Sequence, residues 1–258
     1  GGRITAKTVM AMAMQGGERE GGLGVMIKQL VKKLKDGDSE TKEAAAGMLS
    51  SLAVQNHYEH TDALYASGAV LPLVQILSGG TSNAQGHAAA ALHAIAHNKP
   101  QHQRAIVEAG AISPLVRLIR GGASKVQESA ASALASVGSD VAHQQAIIRA
   151  GSIGPLVTLL KGGSVAAQSF ASQALANAAT YDAEEGQNAI VRAGAVPLLL
   201  ILLSVGKAQT PAAFALAQLA SFNRAVQGAI ADAGGIAPLL ALLNGRNLEA
   251  QIQAAVAL

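Results

Sequence analysis

Apolar and polar residues recur along this chain with a period of about 42 residues. In five stretches, a short apolar segment ends at a glycine and is followed by a proline and paired aliphatic residues. The turn glycines are Gly68, Gly110, Gly151, Gly194 and Gly234, at spacings of 42, 41, 43 and 40 residues. A sixth, degenerate copy precedes them and matches only the later part of the pattern. Such self-similarity is typical of a repeat protein.

The first half of a unit is predicted to form two helices. In the third copy, a short helix from Ala105 ends at Gly110, because glycine readily adopts the left-handed conformation found at helix ends. The second helix carries Pro114 in its first turn, where the missing N–H costs nothing, and ends at Gly121 and Gly122. Each unit therefore opens with a short helix and a tight turn into a longer one.

The second half of a unit is predicted to form a third helix. It starts at a polar cap in four of the copies: Ser39, Ser82, Ser124 and Ser164. In the third copy, apolar residues at helical spacing predict the buried face: Ala130, Ala133, Leu134 and Val137.

This three-helix unit resembles the armadillo repeat. The likeness rests on the string A-I-V-x-A-G-A-I-x-P-L-V-x-L-L and on the third-helix string A-L-x-N-L-A, approximated here by residues 174–179. HEAT repeats, the nearest alternative, lack the short first helix. The resemblance implies an all-α, right-handed α-solenoid superhelix of about five to six three-helix units. The Ala- and Gly-rich copies look more similar to plant, algal and protist arrays than to beta-catenin.

The repeats predict how the chain is divided. Residues 1–24 form an N-terminal extension, partly flexible, in which Ile4 to Gln15 can supply a partial first helix. Residues 25–258 form the repeat domain, with units at about 25–62, 63–104, 105–145, 146–188, 189–228 and 229–258. The last unit is incomplete and its end is apolar. We therefore expect the C-terminal end to continue or to be covered by a partner.

Composition and charge exclude several classes of protein. The net charge is only +3, aromatic residues are 2% of the chain, and the basic residues alternate with acids, so a nucleic-acid surface is not expected. The longest apolar run, residues 195–203, is too short to span a membrane. The chain has no cysteine, N-glycosylation sequon or signal-peptide pattern, so a cytoplasmic location is expected, with a nuclear one possible.

The resemblance implies that the third helices line a concave groove in which partners bind. The family's asparagine position is occupied by Ser51, Ala94, Ser136, Asn177 and Gln218. One turn earlier lie Gly47, Ala90, Ser132, Gln173 and Phe214, and a further turn back lie Ala44, His87, Ser129, Phe170 and Pro211. The Trp and Asn columns with which importin-alpha grips basic peptides are almost absent. The groove is therefore not importin-alpha-like.

The C-terminal half of this groove is the predicted binding site. Its amides can satisfy a peptide backbone and its aromatic rings can anchor a side chain. The predicted site residues are Phe170, Gln173, Asn177, Phe214, Gln218, Ser132, Ser136 and His87. The alternative is that these positions are only solvated or packed between repeats.

Two histidines four residues apart, His93 and His97, have the spacing of a shared metal site. Ala94 occupies the position at which the H-E-x-x-H motif has its glutamate, and no third ligand is apparent. His60, His102 and His143 fall in one column of successive units, too far apart to converge on one ion. We therefore predict no metal, no cofactor and no enzymatic activity.

The sequence thus predicts a non-enzymatic scaffold or adaptor that binds a peptide or helix of a partner protein in its groove. Two alternative functions remain. One is a structural accessory subunit of a larger assembly, and the other is a nuclear-transport adaptor. A contact on the convex face is also considered, because Ile201 replaces polar or small residues there.

Overall fold

The computed structural model describes residues 20–54, 60–180 and 183–258. Within these ranges the chain forms α-helices, one short 3-10 turn and connecting loops, without a β-strand. The opening unit has two helices, α1 (Glu20–Asp36) and α2 (Ser39–Val54). The second unit has α3 (Thr61–Ala66), α4 (Val70–Gly79) and α5 (Ser82–Ala96), and the third has α6 (Pro100–Glu108), α7 (Ile112–Gly121) and α8 (Ser124–Val137).

The later units repeat this order. The fourth has α9 (Val141–Arg149), α10 (Ile153–Gly162) and α11 (Val165–Ala179), and the fifth has α12 (Ala183–Arg192), α13 (Ala195–Leu202) and α14 (Gln209–Ala220). The sixth has α15 (Arg224–Asp232), α16 (Ile236–Leu243) and α17 (Leu248–Ala257). The prediction of an all-α solenoid of five to six units is confirmed.

Left-handed glycines make the turns between the first and second helices, as predicted. In the third unit, Gly110 has a φ of 84°, and Ala111 donates its N–H to the Ile106 carbonyl across 3.3 Å. This bond closes the helix end. The same conformation, with φ between 72° and 83°, recurs at Gly68, Gly151, Gly194 and Gly234.

The predicted caps of the third helices are only partly correct. Ser164 does cap α11, since its hydroxyl accepts the N–H three residues later across 3.1 Å. In α5, however, Thr81 is the cap and Ser82 is the first helical residue. In α8, Ala123 occupies the cap position ahead of Ser124 and makes no side-chain cap bond. Ser82 and Ser124 are therefore the first helical residues of α5 and α8 rather than their caps.

The third helices pack one against the next, more extensively than successive second helices do. Alanines such as Ala88 and Ala91 are fully buried in these contacts. Because small side chains allow close approach, the row of third helices is the shorter, concave side of the solenoid. The buried face predicted for the third unit is confirmed, with no exposure at Ala130, Ala133, Leu134 and Val137.

A glutamine at one position of five third helices closes each unit internally. Its side-chain amide donates to a carbonyl at the end of the preceding second helix, across 2.7 to 3.3 Å. The pairs are Gln85 with Leu77, Gln127 with Ile119, Gln168 with Leu160, Gln209 with Leu203, and Gln251 with Leu243. We call these five residues the glutamine column. Each therefore joins the second and third helices of its own unit.

Buried polar residues of the first helices join one unit to the next. His102 Nδ1 donates to the Ile95 carbonyl across 2.9 Å, and Gln103 Nε2 donates to the Ala96 carbonyl across 2.9 Å. His143 and Gln144 make the equivalent bonds to Val137 and Gly138. The last carbonyls of a helix have no partner within it, so these side chains cap the third helix of the preceding unit. His102 and His143, two of the three residues of the histidine column, thus have a structural role.

The N-terminal helix starts within the predicted extension. Helix α1 begins at Glu20, five residues before the predicted start of the repeat domain. The helix proposed between Ile4 and Gln15 lies outside the described residues. In the described part of the chain, no single helix is long and apolar enough to span a membrane. Only α15 and α16 together reach that length and composition, across a bend of 91°.

Candidate functional site

Five predicted site residues lie on two adjacent helices. Helix α11 carries Phe170, Gln173 and Asn177, and helix α14, which packs against it, carries Phe214 and Gln218. All five are partly buried, and both rings pack against the apolar core. We call these five residues the C-terminal groove residues. The structure places them together on the third-helix side, as the repeat alignment predicted.

The amides of this group are held by hydrogen bonds that leave bonding capacity. Gln173 Nε2 donates to Asn177 Oδ1 across 3.1 Å, and Asn177 Nδ2 donates to the Ala135 carbonyl across 3.0 Å. A carboxamide has two N–H donors and two acceptor positions, so each amide keeps an unused donor. The side chain of Gln218 makes no hydrogen bond within the described ranges. The orientation of Asn177 is therefore fixed while donors remain for a ligand.

The ring of Phe170 reaches across the neighbouring unit to His93. The two ring centroids are 5.7 Å apart in an edge-to-face arrangement, although His93 lies on α5 and Phe170 on α11. The small side chains of α8, between them, permit this contact. His93 Nδ1 also lies 2.7 Å from Ser136 Oγ and 3.2 Å from the Ser132 carbonyl. Sequence analysis missed His93 as a groove residue, because only the curvature of the solenoid brings alternate units together.

The remaining predicted residues differ in the surface that they offer. Ser132 is buried and its hydroxyl donates to the Ser129 carbonyl across 2.8 Å, which leaves it little surface for a ligand. Ser136 is partly buried and hydrogen-bonded to His93. His87 is exposed, and its ring lies over Gly47, where an added Cβ would be 3.5 Å from it. Ligand contact at these three positions stays a prediction.

The paired histidines have partners within the protein. The ring centroids of His93 and His97 lie 6.0 Å apart, and the ring planes meet at 63° in an edge-to-face arrangement. Burial lowers the pKa of His93, and the neighbouring His97 charge lowers it further. Among the described residues, no group of three or more His, Cys, Asp or Glu side chains could hold a metal ion. His93 thus contributes to packing and hydrogen bonding along the groove floor.

The groove columns of the described units contain no acidic residue, and nearby acids serve contacts between units. Glu43 accepts a hydrogen bond from Thr81 of the next unit, which lowers the pKa of the Glu43 carboxyl. Burial acts to raise the pKa of Glu128, but hydrogen bonds from Lys125 and Ser164 outweigh it and lower the pKa. The C-terminal groove residues therefore present a neutral surface of amides and aromatic rings.

Phe222 was not predicted as a site residue, although it is the most exposed large hydrophobic residue in the described part of the chain. It follows α14 by two residues, has a φ of 56°, and has a relative exposure of 104%. The matching turn of the second unit has Asn98, with a φ of 54°. Alignment of the two units could have shown that a bulky residue replaces a residue typical of turns. All three phenylalanines of the chain thus lie on α11, on α14 or just after α14.

Comparisons with known proteins agree with this architecture. A family model described as armadillo/beta-catenin-like repeat matches residues 99–137. An engineered protein of known structure is 38% identical, with a TM-score of 0.80, and the match covers 90% of this chain and 94% of that one. A designed armadillo repeat protein is 30% identical, with a TM-score of 0.80 and coverage of 90% and 98%. Among curated proteins, nothing matches.

A further similar structure contains a ligand. It is a designed armadillo repeat protein in complex with the peptide (KR)4, with 30% identity, a TM-score of 0.76, and coverage of 90% of this chain and 97% of that one. Another engineered protein is 36% identical and covers 98% of this chain, which spans 60% of its length.

Proposed function

This chain belongs to the armadillo-repeat family, and on that premise we propose that it is a non-enzymatic scaffold for another protein. It binds an extended, largely uncharged segment of that protein along α11 and α14. The segment crosses the C-terminal groove residues and leaves the N-terminal half of the groove empty.

One observation carries this proposal, namely that Asn177 is oriented by the protein and still has an unused N–H donor. The bond from Asn177 Nδ2 to the Ala135 carbonyl and the bond from Gln173 fix the plane of its amide. A fixed amide binds a peptide backbone at a lower entropic cost than a mobile one. Phe170 and Phe214 flank the amides, and rigid aromatic rings contribute strongly to binding.

The charge of the groove indicates which segment fits. A basic segment such as (KR)4, bound by a designed relative, has a positive charge on every side chain, and its strongest hydrogen bonds are those to carboxylates. The groove columns here contain no acid, and Glu43 and Glu128 are used between units. We therefore expect neutral peptides to bind better than basic ones, which also argues against a nuclear-transport adaptor.

The test is to select binders from a phage-displayed library of random short peptides and to measure their affinity by fluorescence anisotropy. The double substitution Gln173→Ala and Asn177→Ala removes two amides. Each hydrogen bond contributes about 0.5–1.5 kcal/mol, so affinity should fall about 5- to 150-fold. A (KR)4 peptide serves as the basic comparison and is expected to bind more weakly than the selected peptides.

Ser51→Ala is the matched control, because Ser51 occupies the asparagine position on α2 and its hydroxyl bonds to Gly47 of the same helix. This variant should bind the selected peptides like the wild type. Circular dichroism and thermal unfolding would verify that both variants fold. Equal affinities for the wild type and the double variant would contradict the proposal, as would tighter binding of (KR)4.

The second candidate, an accessory subunit of a larger assembly, is favoured by exposed aliphatic side chains on the second helices of internal units. Ile201 on α13 is 63% exposed and Leu71 on α4 is 55% exposed. Size-exclusion chromatography distinguishes the two candidates. A monomer at high concentration supports the free scaffold, and self-association or aggregation supports a surface that needs a permanent partner.

A further inference from the structure

Phe222 combines two features that are unfavourable in the isolated chain. Its backbone has a φ of 56°, in the left-handed region, and its side chain is fully exposed. In the described part of the chain, the only other residue besides glycine with a positive φ is Asn98, at 54°. Asparagine tolerates this region, whereas a bulky side chain rarely occupies it.

Both residues occupy the same kind of turn between a third helix and the next first helix. Ser221 precedes Phe222 with φ and ψ of −62° and 116°, and His97 precedes Asn98 with −58° and 115°. The N–H of Asn223 donates to the Ala220 carbonyl across 3.4 Å, which closes the turn. These values define a type II turn, whose third residue requires a positive φ and is normally glycine or asparagine.

Side-chain amides, two of them buried, hold the turn of Phe222 in place. Gln187 Nε2 donates to the Gln218 carbonyl across 2.9 Å and to the Ser221 carbonyl across 3.1 Å. Asn223 Nδ2 in turn donates to Gln187 Oε1 across 3.0 Å, and Gln227 Nε2 donates to the Ala220 carbonyl across 2.9 Å. Unfavourable conformations persist where the surroundings fix them in this way, and they cluster at functional sites.

The turn that carries this exposed ring is tied to the C-terminal groove residues. Phe222 follows Gln218 by four residues, in the turn directly after the end of α14. The network that fixes the turn also bonds to the Gln218 backbone. The ring is therefore held at the C-terminal end of α14, in a turn fixed by the same amide that bonds to the groove residue Gln218.

We propose that Phe222 is an anchor for the end of the segment bound in the groove, and that this end carries an aliphatic or aromatic side chain. The inference rests on the proposed function and adds a specificity to it. A neutral segment would contact the amides of α11 and α14 first. Its apolar residue would then cover the Phe222 ring. Burial of the ring on binding would offset the cost of keeping an exposed residue in a strained conformation.

The test uses the peptides selected from the random library and three substitutions. Phe222→Asn installs the residue that the second unit has in the same turn, and it should weaken binding about tenfold while raising the midpoint of thermal unfolding by about 2–4 °C. Phe222→Tyr keeps the ring and should bind like the wild type. Asn98→Phe is the control for strain, and it should lower the midpoint without changing affinity.

The selected peptides should also share an apolar residue near one end, and alanine at that residue should have no further effect in the Phe222→Asn variant. If Phe222→Asn binds normally while Gln173→Ala with Asn177→Ala does not, the groove function stands and the anchor is refuted. If neither variant loses affinity, both proposals fail. A lower unfolding midpoint in Phe222→Asn would also refute the anchor, because binding would then be lost through folding.

Discussion

Replacement of Ser152 by alanine is expected to stabilise the protein by about 1–2 kcal/mol. Ser152 is fully buried before α10, and its Oγ is the one buried side-chain polar atom without a hydrogen-bond partner among the described residues. The same position holds alanine in three other units, Ala69, Ala111 and Ala195, each fully buried. The unit thus accommodates alanine there without rearrangement.

The magnitude follows from two opposing contributions. An unpaired hydroxyl buried in protein costs about 1–3 kcal/mol. Removal of one oxygen leaves a void on the order of 10 Å³, which costs roughly 0.2 kcal/mol at about 24 cal/mol per Å³. The net gain should raise the midpoint of thermal unfolding by about 2–6 °C in a chain of this size. Chemical denaturation, with the midpoint and slope fitted separately, measures the free energy directly.

Ser172→Ala is the matched control. Ser172 is also fully buried, and its counterparts in other units are Ala89, Ala131 and Ala213, but its hydroxyl donates to the Gln168 carbonyl across 2.8 Å. Loss of that bond should leave stability unchanged or lower it by up to about 1 kcal/mol. If both variants gain equally, alanine itself is the cause, and the unpaired hydroxyl is not. A loss of stability in Ser152→Ala would refute the reasoning outright.

Two further predictions concern pH and backbone conformation. Burial lowers the pKa of His93 in the folded state, so the unfolded chain binds a proton at a higher pH than the folded protein does. Stability should therefore fall as pH decreases below about 6.5 towards the folded pKa. Thermal unfolding between pH 7.5 and 5 should show a shallower decline in His93→Ala, and an identical decline would contradict this. Gly110→Ala should lose about 1–2 kcal/mol on denaturation through its φ of 84° alone, since no atom lies within 4 Å of the added Cβ. Gly121→Ala, with equal space and no left-handed φ, should instead be neutral or stabilising.

The regular part of the fold could be predicted because the same turn residues and apolar positions recur in successive units. The left-handed Gly110 and the buried face that includes Leu134 follow from local geometry alone. The cap predicted at Ser124 was wrong by one residue, since Ala123 takes the cap position although serine is the better capping residue. Even the glutamine column, a regular feature, escaped prediction, since Gln127 bonds to a carbonyl eight residues earlier and leaves no apolar pattern.

The candidate site was only partly accessible from the sequence. The grouping of Asn177 with Gln218 follows from the repeat register, which fixes position along the solenoid. The contact between Phe170 and His93 does not, because it depends on how sharply the third-helix row curves. The conformation of Phe222 depends on Gln187, an amide 35 residues earlier that bonds to its turn. Both features arise from contacts between units that no single repeat contains.

The glutamine column makes the structure of a unit independent of the residues on its groove surface. Each glutamine ties together two helices of one unit and points away from the groove columns, so a change at position 177 or 218 breaks none of these bonds. Copies of the unit can consequently diverge in their exposed residues, or be duplicated, without loss of their internal closure. A new recognition surface can therefore be built by substitutions at the groove columns alone, on a frame that stays the same.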